Sequence, residues 1–142
     1  HNLTIDLMKE VVYDQAYMFK YSTREKTHAH RRYDDDVPEG IKSRRLTEVA
    51  TTFYTECEKK NETEIGKSHL VLVEGPSKKN KNELVGRSCN NKKIIFPKVR
   101  LSDIGGVHID PQRGDYVAVR VTSSSAQSLR GESLNFSSIT SY

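Results

Sequence analysis

Lys78, Lys79 and Lys81 crowd into one polar turn, Lys92 and Lys93 stand at the head of an apolar run, and Arg87 and Arg130 each adjoin a glycine. Phosphate recognition needs cations on backbone that can approach closely, and glycine permits that approach. Charged turn clusters are also ordinary solvated surface, so the distribution of charge has to arbitrate. Residues 1–63 hold 11 Lys and Arg against 12 Asp and Glu, whereas residues 64–142 hold 12 against 7. The net charge of +4 thus divides into a near-neutral stretch and a C-terminal one with an excess of +5. A basic module joined to a neutral one points to a polyanion partner. Aromatics are few in the basic stretch (Phe96, Tyr116 and Phe136), which favours recognition of backbone or shape over base stacking.

Other reactive residues offer less. His28 and His30 have the spacing of two ligands on one strand face, but no third ligand accompanies them. Cys57 and Cys89 are too far apart for a disulfide framework, a zinc site or an iron–sulfur site. We therefore assign no catalytic residue and no metal ligand to this chain. No apolar stretch approaches the roughly 20 residues of a membrane span, so no membrane partner is expected. Mean hydropathy is −0.71, yet Ile, Leu, Val, Tyr and Phe recur periodically, which speaks for a folded chain.

Several elements must position these residues. Leu3, Leu7 and Val11 recur at helical spacing and predict a helix over 3–12 that is cut off at its start. Residues 15–22 alternate Ala16 and Met18 with Tyr17 and Phe19 and predict a buried strand. A helix feeding a strand apolar on both faces suits the last part of an α/β barrel. Residues 23–37 are charged and aperiodic, hence a loop. Asp36-Val37-Pro38 starts a helix whose stripe of Ile41, Leu46, Val49, Ala50, Phe53 and Cys57 runs to about Lys60. Arg45 lies toward that stripe, which predicts a buried ion pair. A boundary is expected in the polar segment Asn61–Gly66. Beyond it, apolar runs at Val71–Val73, Leu84–Val85, Ile94–Phe96 and Val117–Val121 alternate with turns at Gly75-Pro76, Asn90-Asn91, Gly105-Gly106 and Gly114-Asp115. Short strands separated by glycine turns indicate a small closed barrel, with a last strand over Leu129–Leu134 and a frayed Ser-rich end.

The same residues carry a resemblance. Phe19-Lys20-Tyr21-Ser22-Thr23-Arg24-Glu25-Lys26-Thr27-His28-Ala29 resembles the segment Y-S-x-R-x-x-T-x-A that closes the catalytic barrel of radical-SAM methylthiotransferases. Asp35-Asp36-Val37-Pro38-Glu39, Lys42 and Arg45-Leu46 are similar to the D-D-V-P-E-x-x-K-x-x-R-L helix that follows in that family, with Gly40 where the family usually has Glu. Leu72-Val73-Glu74-Gly75, Ser77-Lys78-Lys79, Leu84, Gly86-Arg87, Asn91 and Ile95-Phe96 resemble the start of its TRAM domain. Gly114-Asp115-Tyr116-Val117 and Ser128-Leu129-Arg130-Gly131 resemble the rest. Val73-Glu74-Gly75-Pro76-Ser77-Lys78-Lys79 followed by Gly86-Arg87 is most like the MiaB branch, which acts on isopentenylated adenosine beside the anticodon. Lys26-Thr27-His28-Ala29 and Ser125-Ala126-Gln127-Ser128-Leu129-Arg130-Gly131 look most like its animal mitochondrial members, also described as binding a cyclin-dependent kinase 5 activator.

The resemblance implies an α+β fragment. Its parts are the last helix–strand–helix of a radical-SAM α/β barrel over 1–61, a small antiparallel TRAM barrel of OB-like character over 62–135, and a flexible tail over 136–142. It implies tRNA, through the anticodon arm, as partner of Lys78, Lys79, Arg87, Lys92, Lys93 and Arg130. Arg24 either forks a carboxylate or phosphate of cofactor or tRNA, or pairs with Asp34, Asp35 or Asp36. For the parent it implies S-adenosylmethionine, two 4Fe-4S clusters and a mitochondrial location. The family's C-x-x-x-C-x-x-C motif is absent from this chain, so no cofactor is expected to be bound by it and no turnover by it alone. A monomer is expected. Two rivals stand beside this reading: a non-catalytic module for a kinase-activator protein, and a free-standing RNA-binding barrel. A helix cut off at Leu3 disfavours the second.

Overall fold

The computed structural model describes residues 1–102 and 106–140. The chain forms two compact units, His1–Glu56 and Cys57–Tyr142. The division falls inside a helix, ahead of the 61/62 boundary expected from composition.

In the first unit, α1 covers Asn2–Val11, α2 covers His28–Arg32, and α3 begins at Glu39 and runs through to Glu62. The α1 and α3 readings agree with the periodicity to within about two residues, the usual fray at helix ends. Val12 closes α1 in the left-handed conformation, its N–H donating to the Met8 carbonyl at 3.1 Å. At the start of α3 the Pro38 carbonyl accepts from Ile41 and Lys42.

Residues 15–22 do not form the expected strand. Their backbone is irregular and Tyr17 and Phe19 are each 84% exposed, although Ala16 and Met18, which alternate with them, are half-buried. The alternation is real, but a strand exists only through a ladder of hydrogen bonds to a neighbour, and no described segment lies alongside. The expected loop contains α2, a single short turn of helix. Thr27 caps it by accepting from the His30 N–H at 3.2 Å, a local bond that apolar periodicity does not register.

The second unit is a closed barrel in the order β1-β2-β3-β7-β6, with β6 returning to β1. The strands are β1 Ser68–Pro76, β2 Glu83–Arg87, β3 Lys93–Pro97, β6 Tyr116–Ser124 and β7 Leu129–Phe136. Every barrel strand read from the sequence is present. Alternate residues point inward, so Val71, Val73, Leu84, Ile94, Phe96, Val117, Val119, Val121 and Leu129 fill one core. Gly86 and Gly131 also face inward. A Cβ on Gly86 would lie 2.4 Å from the Leu72 carbonyl oxygen, and one on Gly131 2.4 Å from that of Arg120. These two glycines let adjacent strands close on a narrow interior.

The barrel is not wholly antiparallel: β3 and β7 pair in parallel, Ile94 with Leu129 and Ile95 with Arg130. Five strands form a ring here only if one pair runs in the same direction. A further short pair, β4 Leu101–Ser102 with β5 His108–Ile109, is too brief to leave a sequence pattern. Phe136 ends β7 and packs on the core, so it belongs to the barrel and not to a tail. Within the expected turn at Gly105-Gly106, Gly105 lies outside the described residues, as do residues 141–142 of the Ser-rich end.

The register gives the barrel two ends. Pro76 pairs with Leu84, Glu83 with Pro97 and Leu72 with Tyr116, so the 77–82 turn and both ends of the 98–115 connection share one end of the barrel. Bonds join them: Lys98 N–H donates to the Asn82 carbonyl at 2.8 Å, and Gly114 N–H to that of Val73 at 2.9 Å. The 88–92 and 125–128 turns occupy the opposite end, together with Asn61 from the last turn of α3.

Candidate nucleic-acid interface

The residues expected to meet phosphate fall into three environments. Lys78 and Lys79, with Lys81, stand exposed on the β1–β2 turn. That turn is held by its own backbone: Ser77 N–H donates to the Glu83 carbonyl at 2.8 Å, and Asn80 Oδ1 accepts from the Asn82 N–H at 3.0 Å. The lysines therefore project from an ordered base.

Arg87, Lys93 and Arg130 come together on the outer face of β2, β3 and β7. Arg87 is the register partner of Lys93, and Arg130 is one strand over, beside Ile95. Two of these cations already have carboxylates. Arg87 Nε lies 3.5 Å from Glu74 Oε2 and its Nη1 donates to the Asn91 carbonyl at 3.1 Å, while Arg130 pairs with Glu83. Lys93 is exposed. The glycines beside Arg87 and Arg130 serve core closure, so the expectation that they admit a phosphate backbone is corrected.

Lys92 is a third case, and here the structure overturns the expectation. Its residue is 6% exposed, and its ammonium donates to Asn61 Oδ1 at 2.5 Å. Asn61 in turn donates to the Ser125 carbonyl at 2.7 Å, and contacts Cys57 Sγ at 3.7 Å. Lys92 also closes its own turn: its carbonyl accepts from the Ser88 N–H and its N–H donates to Ser88 Oγ, each at 3.1 Å. It is an internal tie between the end of α3 and the β2–β3 turn. Its neighbour Lys93 faces out because successive strand residues point to opposite sides.

Arg24 is exposed, and among the described residues its side chain makes none of the ion pairs expected with Asp34, Asp35 or Asp36. Asp35 pairs instead with Lys42, whose ammonium also lies 5.8 Å from the centre of the Tyr21 ring. Arg45 is exposed rather than buried, and it lines an open cleft of about 710 Å³ with Met8, Met18, Phe19, Asp36 and Leu46. That side of the helix faces a cleft, so Arg45 requires no buried partner. Glu39 is held below its ordinary value, first by the hydrogen bond from Lys20 and then by the charges of Lys20 and Lys42.

Of the three aromatics, Phe96 is buried and Phe136 packs on the core, which leaves Tyr116 half-buried at the start of β6. Among the described residues no group of three His, Cys, Asp or Glu is placed to hold a metal ion; Cys57 is buried and Cys89 exposed. The ligand set of an iron–sulfur cluster does not fit these residues. Sequence reasoning left out Lys98, Arg100 and Arg113, which are exposed in the connection beside the lysine turn. They are scattered over 16 positions and form no local cluster. Only the Lys98–Asn82 bond and the barrel register bring them to that end.

Residues 62–134 match the family described as TRAM domain. Over 136 residues, 94% of this chain, the sequence is 46% identical to the mitochondrial tRNA methylthiotransferase of Homo sapiens. Over 132 residues, 93% of this chain, it is 41% identical to the tRNA-2-methylthio-N(6)-dimethylallyladenosine synthase of Bacteroides thetaiotaomicron. The matches take up 23% and 27% of those proteins, so the chain spans about a quarter of the length of the curated relatives it matches.

Proposed function

The chain belongs to the TRAM-domain family, and from that premise we propose that it is the tRNA-holding part of a methylthiotransferase acting on isopentenylated adenosine beside the anticodon. The observation that carries this reading is the reach of the similarity. It runs through the helical unit as well as the barrel, covering 94% of the chain at 46% identity. A barrel borrowed by an unrelated protein would match over the barrel alone. In the parent, S-adenosylmethionine and two 4Fe-4S clusters would supply the radical chemistry that exchanges a C–H for a methylthio group. The described residues offer no ligand set for a cluster. A mitochondrial location belongs to the same proposal.

What this chain's own residues supply is grip. Lys78 and Lys79 offer two mobile charges on a fixed turn, suited to phosphates and not to base edges. Tight binding should weaken steeply with salt as counterions are released. Changing Lys78 and Lys79 together to Ala should flatten the slope of log affinity against log salt by about 1.4–1.8, at roughly 0.7–0.9 per lost contact. Preference among tRNA stems should hardly change. Titrating a labelled anticodon stem-loop at several salt concentrations reads both quantities. Coincident slopes would remove these lysines from the interface. Tight binding of a kinase-activator protein with only generic RNA affinity would favour the rival function.

A further inference from the structure

The stretch 64–142 contains 12 Lys and Arg, and the fold distributes them unevenly. Lys67 is paired with Glu64, Arg87 with Glu74 and Arg130 with Glu83, and Lys92 is buried against Asn61. Six others, namely Lys78, Lys79, Lys81, Lys98, Arg100 and Arg113, all lie in the two connections that share one end of the barrel. The described acids in those connections are Asp110 and Asp115; Asp103 lies outside the described residues. Asp115 spends an oxygen on the Gln112 N–H at 2.7 Å, and Asp110 lies 3.8 Å from the Lys98 ammonium in an exposed, weak pair. Arg100 donates to the His108 carbonyl at 2.7 Å, which uses one of its five N–H groups. An open cleft of about 790 Å³ is lined by Arg100, Gln112 and Arg113 together with Ile109 and the two acids Asp110 and Asp115.

We infer that this end of the barrel, and not the outer face of β2, β3 and β7, is the surface that meets the RNA backbone. Lys98, Arg100 and Arg113 act there with the lysine turn. The inference rests on the proposed RNA-holding function and assigns its surface. Charge complementarity decides between the two candidates. The sheet face holds Arg87, Lys93, Arg130 and, opposite Glu132, Arg120 against Glu74, Glu83 and Glu132, a balance of +1, whereas the end holds six cations against two described acids. Phosphates are drawn to the summed field and not to single side chains.

The test compares two double variants of the 142-residue chain, Lys98→Ala with Arg113→Ala and Arg87→Gln with Arg130→Gln. All four side chains reach the surface, and the backbone N–H of Lys98 keeps its bond to Asn82. Affinity for an anticodon stem-loop is measured across a salt series, with thermal melts to verify folding. The end variant should flatten the salt slope by about 1.4–1.8 and the face variant should leave it unchanged. The reverse pattern overturns this surface while the RNA-holding function stands. A wild-type chain with no salt-dependent affinity for the stem-loop overturns that function and this inference with it.

Discussion

The two units use similar apolar residues to different ends. In the barrel, Val, Ile, Leu and Phe converge on a closed interior where Val71, Ile94, Val117, Val119 and Leu129 lose all contact with water. In residues 1–56 Met8 is the one buried residue, and Tyr17, Phe19 and Leu3 remain 84% exposed. The difference comes from closure, not composition. Each barrel strand finds two neighbours, so its backbone is satisfied and its alternate side chains share one core. The irregular segment at 15–22 finds none, and Gln15 to Tyr21 line an open cleft.

The contrast predicts where a lost ring matters. Phe96→Ala empties the centre of the barrel and should destabilise it by about 3–5 kcal/mol, while Phe19→Ala should stay within about 0.5 kcal/mol. Urea unfolding of the chain and its two variants reads the difference. Equal losses would mean that the exposed segment packs in solution and that the comparison is drawn in the wrong place.

Glycines sharpen it. Gly86→Ala forces a methyl against the Leu72 carbonyl and the Val71 side chain, 2.4 and 2.5 Å away, and should cost about 1–3 kcal/mol. Gly40→Ala meets nothing within 4 Å and sits in the first turn of α3, so it should stabilise that helix by up to about 1 kcal/mol. Opposite signs in parallel thermal melts are the expected result.

The smallest effect is electrostatic. Burial pushes the Glu64 carboxyl up, but the hydrogen bond and charge of Lys67, with His69 beside it, outweigh burial and hold it below its ordinary 4.5. A depressed carboxyl contributes stability above its unfolded value, and that contribution disappears as pH falls through the lower folded value. Glu64→Gln should therefore cost a few tenths to about 1 kcal/mol at pH 7 and nothing at pH 2. Glu39 is lowered in the same direction, but its pairing with Lys20 is exposed and should leave no measurable trace. Unfolding followed from pH 7 to pH 2 separates the two carboxyls. A pH-dependent loss from Glu39→Gln equal to that from Glu64→Gln would erase the distinction.

Much of this was legible from residue order. Helical spacing of Leu3, Leu7 and Val11 gave α1, the Ile41–Cys57 stripe gave α3, and alternation with glycine turns gave all five barrel strands, because these patterns are local. The cation candidates were legible as types. Their availability was not, since a lysine and its neighbour differ only by which side of a strand they take.

Sequence by itself determined that a basic barrel follows a helical unit, and that the chain resembles the radical-SAM methylthiotransferases. Tertiary structure decided which charges are free. It buried Lys92 against Asn61, paired Arg87 and Arg130 with carboxylates from other strands, and carried Lys98, Arg100 and Arg113 to the end that holds Lys78 and Lys79. It also turned Gly86 and Gly131 inward. Each outcome depends on strand register and on the parallel closure of β3 with β7, contacts between residues tens of positions apart, and a local pattern of residue types carries no record of them.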